Sequence, residues 1–288
     1  MNLPSIPFTK MHGLGNDFVV LNAFQNTLPT NFDFAVWAQV SCDRHFGIGA
    51  DGLLLLCAPD EWAQAQGANV QMRMWNPDGS EDMCGNGLRC VARLVHNYGA
   101  VSFSRFVAQT LAGLRGCEIL EEGQVRVAMG QPDFRFAAIP FAPSGDIARA
   151  IEYSISVGNV VLPHVTTLST GSTHTIIFVD ELPSDEIFST ISPQIEHHAW
   201  FPERTSIMWA QVLDRQNIRL RIWERGAGET LACGTGSCAA AVAAQITERC
   251  GELVRIHSRG GVLQIGWRQG EEIQMTGEAK VVYEGVWK

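Results

Sequence analysis

The sequence predicts a mixed α/β protein of the α+β type, made of two pseudo-symmetric halves, each a strongly curved, mostly antiparallel sheet around one central helix. Three observations lead there. A glycine-rich Cys-Gly-x-Gly segment occurs twice, at Cys84 and Cys233, 149 residues apart in a chain of 288, which is the spacing of an internal repeat. Each segment opens a run with helix-forming character, while short strand-like runs outnumber the helical ones. A chain of this length also holds two domains at about 150 residues each. A doubly wound parallel sheet is disfavoured, because its strands would alternate with helices of about 10–15 residues.

Strands are expected where apolar residues alternate or run between turn signals: 18–24, 52–58, 69–75, 101–109 and 123–130 in the first half. A helix is expected over Asp33 to Gln39. After Cys84, the residues Leu88, Val91, Ala92 and Val95 fall at helical spacing, with a stop at Gly99. Pro132, Pro140 and Pro143 mark the crossover, dividing the chain near 131/132. In the second half, strands are expected over 151–158, 173–180, 206–214, 217–224, 253–258 and 261–268, with a last strand at 279–287. A helix is expected from Ser184 to His197. The alanine-rich run after Cys233 favours another helix, ending at Gly251.

Composition narrows the function. Hydrophobic residues at 46% and charged residues at 18% describe a globular chain rather than a disordered one. With 21 Lys plus Arg against 30 Asp plus Glu, the net charge is -9, and no basic cluster offers nucleic acid or a membrane surface an electrostatic footprint. The first residues lack the basic-then-apolar plan of an export signal, and the apolar runs are far shorter than the roughly 20 residues of a spanning helix. Eight scattered cysteines show no CxxC pair and no Cys/His spacing of a zinc site. A soluble protein of a reducing, cytoplasmic compartment is expected, with a small molecule as its partner.

A thiol at the mouth of a helix meets N–H groups and the positive end of the helix dipole, which lower its pKa from the usual value near 8.5. Gly85 and Gly87, like Gly234 and Gly236, permit close backbone approach, and their consecutive N–H groups form a nest for an anion such as a carboxylate. Asn86 and Thr235 add polar side chains at matching positions. Cys42, Cys57, Cys90, Cys117, Cys238 and Cys250 read instead as small packing residues. A cysteine hydrolase would need only one thiol and a histidine base. Two thiols on opposite faces of one carbon suit proton removal and redelivery, which is racemisation or epimerisation without a cofactor. The carbanion would be stabilised through a carboxylate held by the two helix N-termini.

The segments KMHGLGNDFVV, RHFGIGADG, NPDGSEDMCGNGLRC, HHAWFPER, ERGAGETLACGTGSCAAAVAA and MTGEAKVVYEG together make the chain resemble the diaminopimelate epimerase family over nearly its whole length. The resemblance implies a cofactor-independent isomerase of lysine and cell-wall precursor synthesis that interconverts LL- and meso-2,6-diaminopimelate. It further implies a homodimer, a site in the cleft between two halves, and a last strand that returns to the first half. The halves are then 1–131 with 276–288, and 132–275. Carried over residue by residue, Cys84 and Cys233 are the acid/base pair, and Asn16, Gly52 and Asn76 match substrate-binding positions. Gly85 with Asn86, and Gly234 with Thr235, match the clamp on the reacting carboxylate. Glu224 matches an acid on the substrate ammonium, and Arg225 an arginine on the distal carboxylate.

Three features depart from that pattern. The family's Gly-Asn-Pro-His segment reads Gly171, Ser172, Thr173, His174 here, and Ser206 stands where an asparagine follows the FPER stretch. The interval from Asn76 to Cys84 is one residue short. Ser172 and Ser206 remain substrate-binding candidates, since a hydroxyl still donates and accepts, and His174 is expected to support the site from behind. Because both serines concern the distal end of the substrate, a racemase of another amino acid, with a basic or imidazole side chain, is the alternative. A binding protein that keeps the fold without the reaction is the third reading.

Overall fold

The structure is a computed structural model that describes residues 5–29, 31–99, 104–145 and 147–288. The chain divides into two compact units, Met1–Ala128 with Thr276–Lys288, and Met129–Met275. In the first, β1 (Ile6–Gly13) and β2 (Asn16–Asn22) form a hairpin closed by Leu14 and Gly15. Both turn residues have positive φ, 58° and 85°, the geometry that matches strand twist and for which glycine is suited. α1 (Phe34–Ser41) follows, capped by Asp33, whose carboxylate accepts from the N–H groups of Ala35 and Val36. It carries the chain to β3 (Gly52–Cys57), parallel to β2.

The short α2 (Glu61–Ala65) precedes β4 (Val70–Trp75), and β4 pairs with the two-residue β5 (Glu81–Asp82). Next, α3 (Gly85–Asn97) crosses to β6 (Arg105–Thr110), parallel to β4, and β7 (Gly113–Ile119) and β8 (Gln124–Ala128) continue antiparallel. Residues 101–103 of the strand expected at 101–109 lie outside the described residues.

The second unit repeats this order. β9 (Tyr153–Val157) and β10 (Val160–Ser169) pair, and β10 pairs with β11 (Thr173–Val179). α4 (Asp185–Glu196) leads to β12 (Ser206–Asp214), parallel to β11, and β13 (Asn217–Glu224) returns antiparallel. After the short β14 (Gly228–Thr230), α5 (Gly234–Ile246) crosses to β15 (Leu253–Ser258), parallel to β13, with β16 (Gly261–Gly266) beside it. β17 (Gln274–Glu278) leads out of this unit, and β18 (Lys280–Trp287) pairs with β1 in the first.

A strand pair (β1–β2 and β10–β11), a helix, a strand pair with a short third strand, the cysteine-capped helix and a further pair recur in both units, with α2 added in the first and β9 in the second. α3 packs on β1, β7 and β8, and α5 on β10, β11, β12 and β16. α5 is buried on nearly all sides, which its alanines permit without steric cost. Each unit has its own aromatic-rich core. One is built around Val19, Leu21, Trp37, Leu53 and Trp75, the other around Tyr153, Phe188, Ile195, Phe201 and Trp209.

One expected boundary is corrected. α5 ends at Ile246 rather than near Gly251, because Glu248 takes a left-handed φ of 59° and Arg249 N–H closes on Ala244 O. The Thr247 hydroxyl also donates back to Ala243 O at 2.7 Å.

Candidate active site

Cys84 and Cys233 are the N-cap residues of α3 and α5. Their backbones are alike, with φ/ψ of -132°/121° and -129°/115°. Each sulfur accepts the N–H three residues on, from Gly87 at 3.5 Å and from Gly236 at 3.4 Å. Serine, threonine or aspartate usually fills this position, so a cysteine here places sulfur at the positive end of a helix. The glycines at the third position serve packing: a Cβ on Gly87 would lie 2.9 Å from Leu54, and one on Gly236 2.3 Å from Met208. By helix geometry, the N–H groups of Gly85 and Asn86, and of Gly234 and Thr235, have no acceptor within their own helix. Such groups suit a carboxylate.

Around Cys84, the β1–β2 turn supplies Asn16. Its Oδ1 lies 3.6 Å from the Cys84 sulfur and accepts from Asn86 Nδ2 at 3.1 Å, while its Nδ2 donates to Asp51 Oδ2 at 2.8 Å. Asp51 Oδ1 takes Arg44 Nη2 at 2.6 Å, and Arg44 also pairs with Asp17. Lys10, nearly buried, completes the chain with Asp17 at 2.6 Å. Burial opposes the Asp17 carboxylate, yet the hydrogen bonds and charges of Arg44 and Lys10 prevail and hold it below the usual carboxylate range.

Asn76 is fixed by its own turn: its N–H reaches Ser80 O, and its Nδ2 reaches Ser80 Oγ at 3.1 Å. Gly52 sits in the ladder opposite Phe18, where a Cβ would meet Met74 at 3.0 Å and Trp75 O at 3.1 Å. Tight packing under β4 accounts for that glycine.

Around Cys233 the setting is charged. The Thr235 hydroxyl is 3.5 Å from its sulfur, and Thr170 Oγ1 anchors the helix start by donating to Thr235 O at 2.9 Å. The Glu224 carboxylate accepts from the thiol and from Thr230 Oγ1 at 2.5 Å. Burial first, and then the Glu224 charge, push the Cys233 thiol well above its ordinary pKa, against Thr235 and the Gly236 N–H, which favour the thiolate. The lowering expected of a helix mouth is thus overturned at Cys233, because a sulfur 5% exposed beside a carboxylate loses more by desolvation and repulsion than the dipole returns. Among the packing cysteines, burial likewise raises Cys42 to about 11 and Cys90 and Cys117 to about 12.

The serines and His174 lie together near Arg225. His174 on β11 is the register partner of Ser206 on β12, and Ser172 Oγ meets His174 Nε2 at 3.0 Å. Ser206 Oγ accepts the Arg225 N–H at 3.1 Å, and Arg225 Nη1 donates to Glu203 O at 2.9 Å. Burial, then the charge of Arg225, lowers the His174 pKa to about 3, so its imidazole is neutral.

Two hairpins lead to the two cysteines on one plan. The stretches RMWN (73–76) and RIWE (221–224) each carry an arginine that forks onto a glutamate eight residues on. Arg73 reaches Glu81 at 2.7 and 2.8 Å, and Arg221 reaches Glu229 at 3.0 and 3.2 Å. The glutamate faces the tryptophan across the strand pair in both, Trp75 with Glu81 and Trp223 with Glu229. Asn76 and Glu224 therefore occupy equivalent positions.

Sequence reasoning assigned no role to Asp51, Arg44 or Glu196. The first two lie inside the RHFGIGADG segment, whose pattern marks the stretch without saying what each side chain does. Glu196 is 3% exposed and takes Trp223 Nε1 at 2.7 Å and the Gly226 N–H at 2.9 Å, tying α4 to the hairpin beside Glu224. Nothing in its helical surroundings marks it.

A family model described as diaminopimelate epimerase matches residues 8–135 and 166–282. A diaminopimelate epimerase of Pelotomaculum thermopropionicum is 44% identical over 96% of this chain and 97% of its own length. One from Moorella thermoacetica is 42% identical over 96% and 98%. Among solved structures, a hydroxyproline epimerase from Agrobacterium vitis with bound trans-4-hydroxy-L-proline superimposes with a TM-score of 0.69, covering 98% of this chain and 92% of that one. At 13% identity, that likeness speaks for the fold alone.

Proposed function

The chain belongs to the diaminopimelate epimerase family, and from that premise we infer an isomerase of amino-acid biosynthesis that interconverts LL- and meso-2,6-diaminopimelate. The observation that carries the mechanism is the duplicated cysteine N-cap. In the forward half-reaction a thiolate takes the proton from one α-carbon, forming S–H and leaving the electron pair on carbon. The second cysteine gives its S–H proton to the opposite face and becomes the thiolate. The proton count of the pair is unchanged over a turnover, so no external acid or base enters. The N–H groups of Gly85 and Asn86, and of Gly234 and Thr235, hold the carboxylate into which the carbanion charge spreads.

Without substrate, burial and the Glu224 charge hold the proton on Cys233. A substrate ammonium placed on Glu224 offsets that negative charge and eases formation of the Cys233 thiolate when that residue is the base. Arg225, its backbone fixed by Ser206 and its guanidinium by Glu203 O, meets the distal carboxylate. Asn16 and Asn76 supply neutral polar contacts, Ser172 extends the polar surface beside Arg225, and the neutral His174 backs Ser172. The reading is tested with LL-diaminopimelate in deuterated water. Inversion with one deuterium entering at one α-carbon is expected, and inversion of a different amino acid with none of diaminopimelate would overturn it.

Among the described residues, no helix is long and apolar enough to cross a membrane. A cytoplasmic homodimer is the corresponding proposal. Its support is β18, where Val281, Val282, Tyr283 and Val286 are 42–55% exposed, an apolar strand surface of the kind a second copy covers.

A further inference from the structure

We propose that Asp51 is a positioning residue that locks the Asn16 amide with its oxygen toward the Cys84 thiol. The assignment rests on the reading of Cys84 as an acid/base group. A carboxylate in an ion pair offers acceptors only, so the end of Asn16 that meets Asp51 Oδ2 at 2.8 Å must be its NH2. Asp51 cannot turn away. Its Oδ2 also takes the Asp17 N–H at 3.0 Å, and its Oδ1 is held by Arg44 at 2.6 Å.

The opposite end of the amide, Oδ1, is thereby directed at Cys84 Sγ, 3.6 Å away, and at Asn86 Nδ2, 3.1 Å away. Asn86 does not set this direction itself. Its own Oδ1 is buried with no hydrogen-bond partner among the described residues, so its amide gains as much from one orientation as from the other. If Asn16 turned over, Asn86 would turn with it. An oxygen facing the sulfur accepts from S–H and disfavours the thiolate, whereas an NH2 group there would do the reverse. Lys10, Asp17 and Arg44 together brace the carboxylate that chooses which end of Asn16 the thiol meets.

The test is the rate of alkylation of Cys84 by iodoacetamide at one fixed pH, resolved by peptide mapping. Asp51→Ala removes the acceptor and lets the amide turn, so Cys84 should alkylate about three- to tenfold faster, the worth of one neutral hydrogen bond. Asp51→Asn removes the charge and keeps an acceptor. Its single oxygen serves two donors, Asn16 and Asp17, while the half-exposed Arg44 swings to water and keeps Asp17. Its rate should stay within about twofold of wild type. In an Asn16→Ala background the Asp51→Ala acceleration should vanish.

Three results would each overturn the assignment: an Asp51→Ala rate like wild type, an Asp51→Asn rate like that of Asp51→Ala, or an acceleration that survives in the Asn16→Ala background. If Asp51→Ala does not fold, Asp51→Ser, whose hydroxyl falls short of Asn16, takes its place. Alkylation needs no amino acid, so the outcome is separate from epimerisation. A wild type that alkylates as stated but inverts no diaminopimelate would overturn the function and leave the role of Asp51 standing.

Discussion

His174 is a buried histidine held neutral, and this makes the stability of the protein depend on pH. Its imidazole is 1% exposed, its pKa is lowered to about 3 by burial and by Arg225, and its Nδ1 has no protein partner among the described residues. In the unfolded chain the same group titrates near 6.5. Above that value both states are neutral and the residue contributes nothing to pH dependence. As pH falls below 6.5, the unfolded state takes up the proton and the folded state does not, so stability is lost at up to about 1.4 kcal/mol per pH unit until the folded value is reached. Between pH 7 and pH 5 the loss is about 2 kcal/mol, and any folded value below about 4 gives the same figure.

The partnered carboxylates Asp17, Asp43, Asp60 and Asp78 are all lowered from 3.8, so their contributions fall away only at more acidic pH. His198, also lowered by burial, is common to wild type and variant and cancels. Urea denaturation at pH 7 and pH 5 on wild type and His174→Gln should therefore show wild type losing about 2 kcal/mol more over the interval. Equal losses in the two proteins, or a His174 ring resonance that titrates between pH 5 and 7, would refute the reasoning.

Cys84→Ser and Cys233→Ser should melt no lower than wild type, since serine is a favoured N-cap, yet lose at least about 10²-fold in turnover, because a hydroxyl is a far weaker proton donor than a thiol; calorimetry with a chiral assay checks both halves. Glu224→Gln removes the charge that, after burial, holds the Cys233 thiol up, so the thiolate absorbance of Cys233 should appear at lower pH than in wild type. Gly47→Ala would bring a Cβ to 2.2 Å from Val40 O and 2.8 Å from Asp43 O and Ser41 O, backbone atoms that cannot step aside; a loss of about 3 kcal/mol is expected in denaturant titration. Tyr283→Asp with Val282→Asp should sediment as a monomer if β18 is the dimer surface, and an unchanged sedimentation coefficient would place that surface elsewhere.

The helices were the most legible part of the fold because their signals are local. Asp33 and Ser184 are N-caps, and Gly99 follows the cap of α3 with φ 66°. The missed strands lack such signals. β10 contains Pro163 and a left-handed His164, and its pairing with β9 shifts between Leu162 and Val165. β7 carries two glycines in seven residues, and β1 buries Lys10 among apolar neighbours, so neither shows a clean alternation. α2 and β5 are too short for any period to register. At the site, the cysteines were visible because one pattern occurs twice. The pKa of Cys233 was not, since it depends on how deeply the sulfur is buried and on Glu224, which only the folded chain places beside it.

The paired hairpins bear on how one fold came to hold two like ends of one molecule differently, one as the reacting end and one as the distal end. An ancestor made of two identical copies would have offered both ends the same surroundings. Here the arginine–glutamate fork persists in both copies, so it belongs to the hairpin, while the residue just after each tryptophan has drifted to Asn76 in one copy and Glu224 in the other. Matching the parallel pairs Phe18 with Gly52 and His174 with Ser206 shows the same divergence at the turns, with Asn16 in one copy where Ser172 stands in the other. The scaffold is the shared grammar of the duplication and these few positions are its vocabulary, so ligand preference can be rewritten in one copy without disturbing the proton chemistry that needs both.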